Sequence, residues 1–214
     1  NVAEKYKISR DEQDLFALNS QEKVQKAINE NRFKNELIKL KIGTDNKNFL
    51  FEKDEHPRSN LNLEDLKKLK TVFKENGTVT AGNSSGINDG AAATILMSRE
   101  EAELRGIEPL AKVVSWATCG VKPSLMGLGP IKAVNLALEK AEWTREDVDL
   151  FEINEAFAAQ SIAVIRDLKI RKEIVNVNGG AIALGHPIGA SGTRILVTLI
   201  HEMVKRDVKK DLAT

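Results

Sequence analysis

The sequence predicts an α/β protein in which a mixed sheet, parallel over a substantial part, is covered by helices. From Gly77 onward, strand-like and helix-like segments alternate, which is the pattern of strand–helix–strand units. Residues 1–75 differ, because they hold many Lys, Asn and Glu residues and few glycines. Glycine-rich stretches follow strand-like segments, and sheets of this class bind ligands at the carboxyl ends of their strands. We therefore expect a helical subdomain beside a sheet domain with a site in its loops.

The N-terminal stretch predicts two helices at the surface, with no catalytic role for most of it. Ser9 and Glu12 have capping-box spacing, and apolar positions with a helical period follow, so we expect a helix from about residue 10 to 30. The polar residues near 43–58 predict a loop or a short hairpin. The apolar residues of the second predicted helix are three or four positions apart: Leu63, Leu66, Leu69 and Phe73.

Alternating elements follow. Ala91–Met97 is a short apolar run, Ser98 and Glu101 repeat the capping spacing, and Gly106 supplies a helix stop. Leu110–Trp116 predicts a strand.

Five further elements complete the predicted domain. Pro130 fits the first turn of a helix. Val148–Ile153 predicts a strand that leads into a helix over Ala156–Leu168. Ile174–Val177 predicts a second strand, which leads into a helix over Thr193–Val204.

The composition excludes several classes of protein. Of 214 residues, 42% are hydrophobic and 29% are charged, which suits a soluble domain with a core. Lys and Arg total 32 against 31 Asp and Glu, so the charge predicts neither a nucleic-acid nor a membrane partner. Cys119 is the one cysteine, which excludes an internal disulfide framework and favours a reducing compartment. No apolar run approaches the ~20 residues that a membrane-spanning helix needs.

The stretch from Asn176 to Arg194 contains five glycines and His186, and it is the strongest candidate for a catalytic loop. Glycine lets a ligand approach the backbone closely, and a histidine changes protonation near neutral pH. Pro187 restricts the residue before it to extended conformations, which orients His186 as a base for a nucleophile. The alternative is a histidine that only satisfies hydrogen bonds within a turn.

A second candidate loop begins at Asn154, directly after the predicted strand that ends at Ile153. Its amide is suited to holding a water or stabilising an oxyanion, and equally to capping the next helix. Glu155 is suited to the start of that helix, where negative charge is stabilising. Glu152 and Glu155 could also act as a catalytic pair of carboxylates, but no third feature of the sequence supports this alternative. We expect both loops to border one site, and the glycine-rich residues 80–90 to line the same mouth.

Other candidates are disfavoured. His56 and His201 are expected at the surface, and the three histidines lack metal-site spacing, so we predict no metal. Cys119 is expected to be a small hydrophobic residue rather than a nucleophile. The glycine-rich loop matches neither phosphate-binding nor dinucleotide-binding motifs, but its backbone suits a thioester or its pantetheine arm.

Four segments of the chain resemble the thiolases, the acetyl-CoA C-acetyltransferase family, and the similarity extends over essentially all 214 residues. They are Thr80–Ala92, Met126–Pro130, Asn154–Gln160 and Gly179–Gly192, which reads Gly-Gly-Ala-Ile-Ala-Leu-Gly-His-Pro-Ile-Gly-Ala-Ser-Gly. The residues around Ser115 and 149–154 are nearest to cytosolic-type acetoacetyl-CoA thiolases.

The resemblance implies reversible Claisen condensation of two acetyl-CoA molecules, within fatty acid and mevalonate metabolism. His186 would activate the nucleophilic cysteine, and Asn154 would hold the water of an oxyanion hole that includes His186. Coenzyme A would be substrate and product, with no further cofactor. The implied substrate-binding residues are Ser85 at the pantetheine arm, Arg58 beside the nucleotide end, and Met126 and Phe157 as walls of the acyl pocket.

The resemblance also implies a layered thiolase fold, present in part. Residues 1–75 would belong to a CoA-covering loop subdomain, and residues 76–214 to the C-terminal domain without its last strands. Acyl-CoA substrates, homotetramers or homodimers, and a cytoplasmic location are expected, with mitochondria or peroxisomes as alternatives.

Two departures from the family bear on activity. The acylated cysteine of thiolases lies in an N-terminal half that precedes these residues, and a second cysteine in a Cys-Ile-Gly-Gly-Gly-like segment should follow Thr214. Cys119 aligns with neither, so we expect the 214-residue chain alone to form no acyl-enzyme. The alternatives are a catalytically inactive fragment that binds acyl-CoA or lipid, and an inert fragment.

Overall fold

The computed structural model describes residues 1–44 and 47–214, which form eight α-helices and four strands. The helices are α1 (Val2–Tyr6), α2 (Arg10–Asn29), α3 (Leu63–Lys67), α4 (Arg99–Leu104), α5 (Gly129–Ala141), α6 (Ala158–Asp167), α7 (Ala181–Leu184) and α8 (Ser191–Arg206). The strands are β1 (Leu40–Thr44), β2 (Lys47–Phe51), β3 (Leu150–Glu152) and β4 (Asp211–Ala213). Short 3-10 helices cover Pro123–Leu128 and Lys172–Ile174. Within these residues, no helix has both the length and the apolar character to cross a bilayer.

The helix starts expected from capping patterns are confirmed. Ser9 accepts a hydrogen bond from the Glu12 amide and begins α2, and Ser98 does the same with Glu101 at α4. Pro130 lies in the first turn of α5, as predicted. The face of α2 that points inward is partly polar, with Gln13, Asp14, Ser20 and Gln21 all buried. A helix expected at the surface therefore sends hydrogen-bonding groups into the interior.

Helix α6 is the centre of the packing. Eight of its ten residues, Ala158 to Ile165, are buried. Ala158, Ala159, Ile162 and Ala163 belong to one apolar cluster, shared with α1, α2, α3 and α7. Val164 and Ile165 belong to a second cluster, shared with α5 and β3. Because both clusters pack against α6, most of its surface is removed from water, and its exposed residues are Arg166 and Asp167 at its end.

The predicted parallel pairing occurs at β3, whose three residues pair in parallel with β4 from Leu150–Asp211 to Glu152–Ala213. On its other side, Phe151 forms a parallel bridge with Val175. Helix α8 packs against both strands. The α/β class is confirmed, and Asn154 directly follows this small parallel sheet.

Several predicted elements differ in the structure. Leu110–Trp116 is predicted to be a strand, but it is largely exposed and has no regular secondary structure, and no strand among residues 1–44 and 47–214 pairs with it. A strand needs a hydrogen-bonded neighbour, which an apolar pattern does not provide. The strand expected at Ile174–Val177 is reduced to the single bridge at Val175.

The N-terminal hairpin and second helix are also only partly as predicted. A hairpin does form, with β1 and β2 pairing antiparallel, but β1 begins at Leu40, three residues before the stretch in which it was expected. The connecting residues 45 and 46 lie outside the described part. α3 ends at Lys67, before Leu69 and Phe73. The guanidinium of Arg10 donates to the carbonyls of Leu66 and Leu69, so it satisfies the end of this short helix.

Candidate active site

The backbone holds His186 at the mouth formed by three loops. Gly185 has φ +98°, a conformation that favours glycine, and a Cβ there would collide with the side chain of Asn88. The His186 amide lies 3.2 Å from the Gly86 carbonyl and 3.2 Å from Oδ1 of Asn88, donating to both. The glycine-rich residues 80–90 therefore lie beside the histidine loop, as expected.

The His186 ring has a partner at each nitrogen. Nε2 lies 3.4 Å from Nδ2 of Asn154, and Nδ1 lies 2.6 Å from Oγ of Ser191. Burial lowers the pKa of His186, and the nearby positive charge of Arg194 lowers it further. The ring is therefore neutral at neutral pH, as a proton acceptor must be.

Asn154 is positioned by the sheet. Its amide donates to the Thr214 carbonyl (2.8 Å), which continues the ladder of β4. On the other side, the side chain of Asn176 accepts from the Ile153 amide (2.7 Å) and donates to the Ile153 carbonyl (2.8 Å), like a neighbouring strand. Oδ1 of Asn154 is buried with no hydrogen-bond partner among the described residues. The Asn154 side chain caps no helix here, since α6 begins after Phe157.

Glu155 connects the two candidate loops to α2. Its side chain is buried (2% exposed) and accepts from Oγ of Ser20 (2.7 Å), Nδ2 of Asn176 (2.9 Å) and the Ile182 amide (3.3 Å). The Ser20 hydroxyl also accepts from the Gly180 amide (3.0 Å). The sequence suggested that Glu155 serves the start of the helix that follows it, but its carboxylate binds α2, Asn176 and the Ile182 amide instead. Ser20 was missed because no local pattern marks it. Asn176 opens the candidate glycine-rich stretch, but its contacts to Ile153 and Glu155 are 23 and 21 positions away in the sequence.

Ser85 lies against the loop that follows Asn154. Its amide and its hydroxyl both donate to the Ala156 carbonyl, at 3.0 and 3.1 Å. Buried Asn83 supports this segment, because its carbonyl accepts from the Ala158 amide and its Nδ2 donates to Asp14 on α2. Ser85 is thus close to the Asn154 loop, and its pantetheine-binding role stays a prediction.

The other three predicted binding residues are more peripheral. Phe157 is half-buried, bridges to Ser84 and packs edge-on against Phe73 with ring centroids 6.0 Å apart. Met126 is exposed on the 3-10 helix Pro123–Leu128. Arg58 is exposed, with its amide donating to Gln21 on α2 (2.9 Å). Among the described residues, no hydrogen bond joins Arg58 to His186 or Asn154.

Two residues before Asn154, Oε1 of Glu152 accepts a hydrogen bond from the Arg194 guanidinium at 3.2 Å. Burial raises the pKa of Glu152 to about 8, even though Arg194 acts in the opposite direction. Glu36 near the same guanidinium has its pKa raised by burial to about 7. The paired-carboxylate hypothesis concerned Glu152 and Glu155, and among the described residues neither carboxyl group is hydrogen-bonded to the His186 ring, whose partners are Asn154 and Ser191.

The remaining candidates are structural. Sγ of Cys119 contacts the Gly129 carbonyl (3.0 Å) at the start of α5. His56 was expected at the surface, but it is half-buried, and its Nδ1 lies 3.0 Å from the Ala183 carbonyl. In the part of the chain that the structure describes, His, Cys, Asp and Glu side chains form no cluster of three or more suited to a metal ion.

The arrangement therefore presents a neutral imidazole and an amide side by side at the carboxyl end of a parallel strand. Such a pair is able to accept a proton and to donate hydrogen bonds to an oxyanion.

Two known families match this chain, one over its N-terminal and one over its C-terminal part. A family described as "Thiolase, N-terminal domain" matches residues 1–100, and "Thiolase, C-terminal domain" matches residues 107–214. The acetyl-CoA acetyltransferase of Syntrophomonas wolfei is 57% identical over 216 residues, which cover 100% of this chain and 54% of that protein. The chain spans about half the length of the curated relatives it matches.

Solved structures share the fold. The crystal structure of the Bacillus anthracis acetyl-CoA acetyltransferase superposes with a TM-score of 0.98 at 48% identity, covering 100% of this chain and 54% of that one. Human mitochondrial 3-ketoacyl-CoA thiolase in complex with CoA gives a TM-score of 0.93 at 43% identity, covering 100% and 53%. These matches confirm the layered fold that the sequence motifs predicted.

Proposed function

The chain belongs to the thiolase family, and on this premise we propose that the whole protein is an acetyl-CoA C-acetyltransferase. The enzyme condenses two acetyl-CoA molecules into acetoacetyl-CoA and free CoA, and catalyses the reverse thiolysis. The observation that carries the proposal is the contact of His186 Nε2 with the Asn154 amide, 3.4 Å apart, beside the loop of Ser85.

In this mechanism, Nε2 of His186 takes the proton from a cysteine thiol of the whole protein. The thiolate attacks the thioester carbon of acetyl-CoA, so that a bond to the enzyme sulfur forms and the bond to the CoA sulfur breaks. The departing CoA thiolate recovers the proton from His186. Negative charge on the thioester oxygen is stabilised by Nε2–H and by a water held by Asn154.

The second half of the reaction forms the carbon–carbon bond. The thiolate of the family's second cysteine takes a proton from C2 of a second acetyl-CoA, and the carbanion attacks the acyl carbon of the acyl-enzyme. The bond to the enzyme sulfur breaks, the departing thiolate recovers the proton from the second cysteine, and acetoacetyl-CoA leaves. Ser85 contacts the pantetheine arm, Arg58 lies beside the nucleotide end, and Met126 and Phe157 border the acyl group. The related human structure that contains CoA supports this substrate class.

The same proposal covers assembly and location. The protein is a homotetramer or homodimer and acts in the cytoplasm, within fatty acid and mevalonate metabolism. Gel filtration with light scattering and fractionation of the native host test these two points.

Thiolysis of acetoacetyl-CoA by the full-length protein tests the function. His186→Ala should lower kcat by about 10²–10⁴-fold, the range of general acid–base catalysis, with KM for CoA little changed. His201→Ala on α8 is the matched control and should keep wild-type kcat. Absence of thiolysis in the wild-type protein, or an unchanged kcat in His186→Ala, would refute the proposal. CoA binding by calorimetry without turnover would instead favour the inactive acyl-CoA-binding role.

A further inference from the structure

We propose that Ser191 is a positioning residue that lets His186 carry its ring proton on either nitrogen. The same ring then serves as a proton acceptor and as a hydrogen-bond donor at Nε2. The inference rests on the proposed function, which assigns both of these tasks to His186.

The first turn of α8 fixes the Ser191 hydroxyl between two partners. Oγ lies 2.6 Å from Nδ1 of His186 and 3.1 Å from the carbonyl of Pro187. The amides of Ala190 and Ser191 donate to that same carbonyl, at 2.7 and 2.8 Å, which anchors the turn. Ser191 is 5% exposed, so water has little access to replace its hydroxyl.

A hydroxyl group both donates and accepts hydrogen bonds. When the ring proton is on Nε2, the Ser191 hydroxyl donates to Nδ1. When the proton is on Nδ1, Oγ accepts it and the hydroxyl hydrogen turns to the Pro187 carbonyl. The imidazolium formed after proton transfer is accommodated in the same way. Only the hydroxyl hydrogen moves, so the ring keeps its place through each change of protonation.

The group on the other side of the ring is equally adaptable. Nδ2 of Asn154 faces Nε2 and donates to it, while a half-turn of the amide presents the unpartnered Oδ1 to Nε2–H. A carboxylate at Nδ1 would only accept, and would favour a proton there. The charge that acts on the ring is instead Arg194, three residues after Ser191 on α8, and it disfavours the imidazolium.

Kinetics of the full-length protein test the inference with two substitutions. Ser191→Ala should lower kcat for acetoacetyl-CoA thiolysis by about tenfold to a hundredfold, as expected for one lost hydrogen bond to a buried group, with KM for CoA unchanged. Ser191→Thr retains a hydroxyl and should restore most of kcat. Ser161→Ala is the matched control, because this buried hydroxyl on α6 has no partner among the described residues.

Nitrogen-15 NMR of the histidine rings gives a readout that does not depend on activity. In the wild-type protein, the two His186 nitrogens should show averaged shifts from both tautomers, and Ser191→Ala should move them to one tautomer. Wild-type kcat in Ser191→Ala, or unchanged ring shifts in that variant, would overturn the inference. A wild-type protein without thiolysis would refute the proposed function, while the ring shifts would still test the role of Ser191.

Discussion

The carboxylate of Glu155 occupies the space in which a side chain at Gly180 would begin. A Cβ atom at Gly180 would lie 2.3 Å from Cδ of Glu155 and 2.6 Å from each carboxylate oxygen. Since Glu155 follows Asn154 directly and Gly180 begins the turn that leads to His186, this contact sets the two candidate catalytic loops against each other.

Gly180→Ala should destabilise the fold and lower kcat. The backbone at Gly180 has φ −138°, so the cost arises from displacing the hydrogen-bonded carboxylate, about 1–3 kcal/mol as for other overpacked interiors. Urea unfolding measures the change. Gly192→Ala is the control, because an added Cβ meets nothing within 4 Å and α8 should gain about 0.5–1 kcal/mol. Equal stability of the two variants would contradict the importance of the Glu155–Gly180 contact.

Glu155→Gln should weaken the site without changing its volume. The carboxylate accepts hydrogen bonds from Ser20, Asn176 and Ile182. In the glutamine variant, an NH₂ group replaces one of the two oxygens. That NH₂ group faces a donor, so a hydrogen bond is replaced by a repulsive contact. We expect a loss of about 1–3 kcal/mol in the free energy of unfolding, and a lower kcat as Asn154 shifts. Glu22→Gln, on the exposed side of α2, provides the control. A wild-type unfolding midpoint in Glu155→Gln would show that this network does not hold the loops.

Asn154→Ala should separate catalysis from folding. Among the described residues, its side chain has one polar contact within hydrogen-bond range, to His186 at 3.4 Å, so the unfolding midpoint should change little. Loss of an oxyanion donor lowers kcat by about 10²–10³-fold. Steady-state thiolysis measures this in the full-length protein, with exposed Asn135→Ala on α5 as the reference. A kcat equal to that of the reference would remove Asn154 from the mechanism.

Stability should fall as the pH rises toward 8. Burial raises the pKa of Glu152 to about 8 and that of Glu36 to about 7, whereas both have an ordinary value of 4.5. Between pH 4.5 and the folded pKa of each group, the folded state binds more protons than the unfolded chain. The contribution of each group to the free energy of unfolding is therefore fully present at low pH and is lost as the pH rises through its folded pKa. In Glu36→Gln the side chain stays neutral at every pH, so the free energy of unfolding should fall less between about pH 5 and pH 8 than in the wild-type protein. Urea unfolding near pH 5 and near pH 8 measures this difference. A steeper decrease in that variant, or a wild-type protein that gains stability toward pH 8, would contradict the assignment.

Local chemistry explains which elements were predictable. Ser9, Ser98 and Pro130 act within a few residues of the helices they begin, so the sequence indicates these starts directly. The apolar run at Leu110–Trp116 has the composition of a strand, but pairing depends on a neighbour that a one-dimensional pattern does not specify.

The candidate site also has a part that the sequence predicts and a part that only the tertiary structure reveals. The glycine-rich segments, the histidine before Pro187 and the asparagine after a strand are visible in the sequence, and their combination identified the family and predicted His186 and Asn154. Only the tertiary structure connected them to Ser20, Asn176 and Ser191. Ser20 lies 135 positions from Glu155, and a hydrogen bond over that separation depends on how α2 packs against the sheet rather than on any local preference.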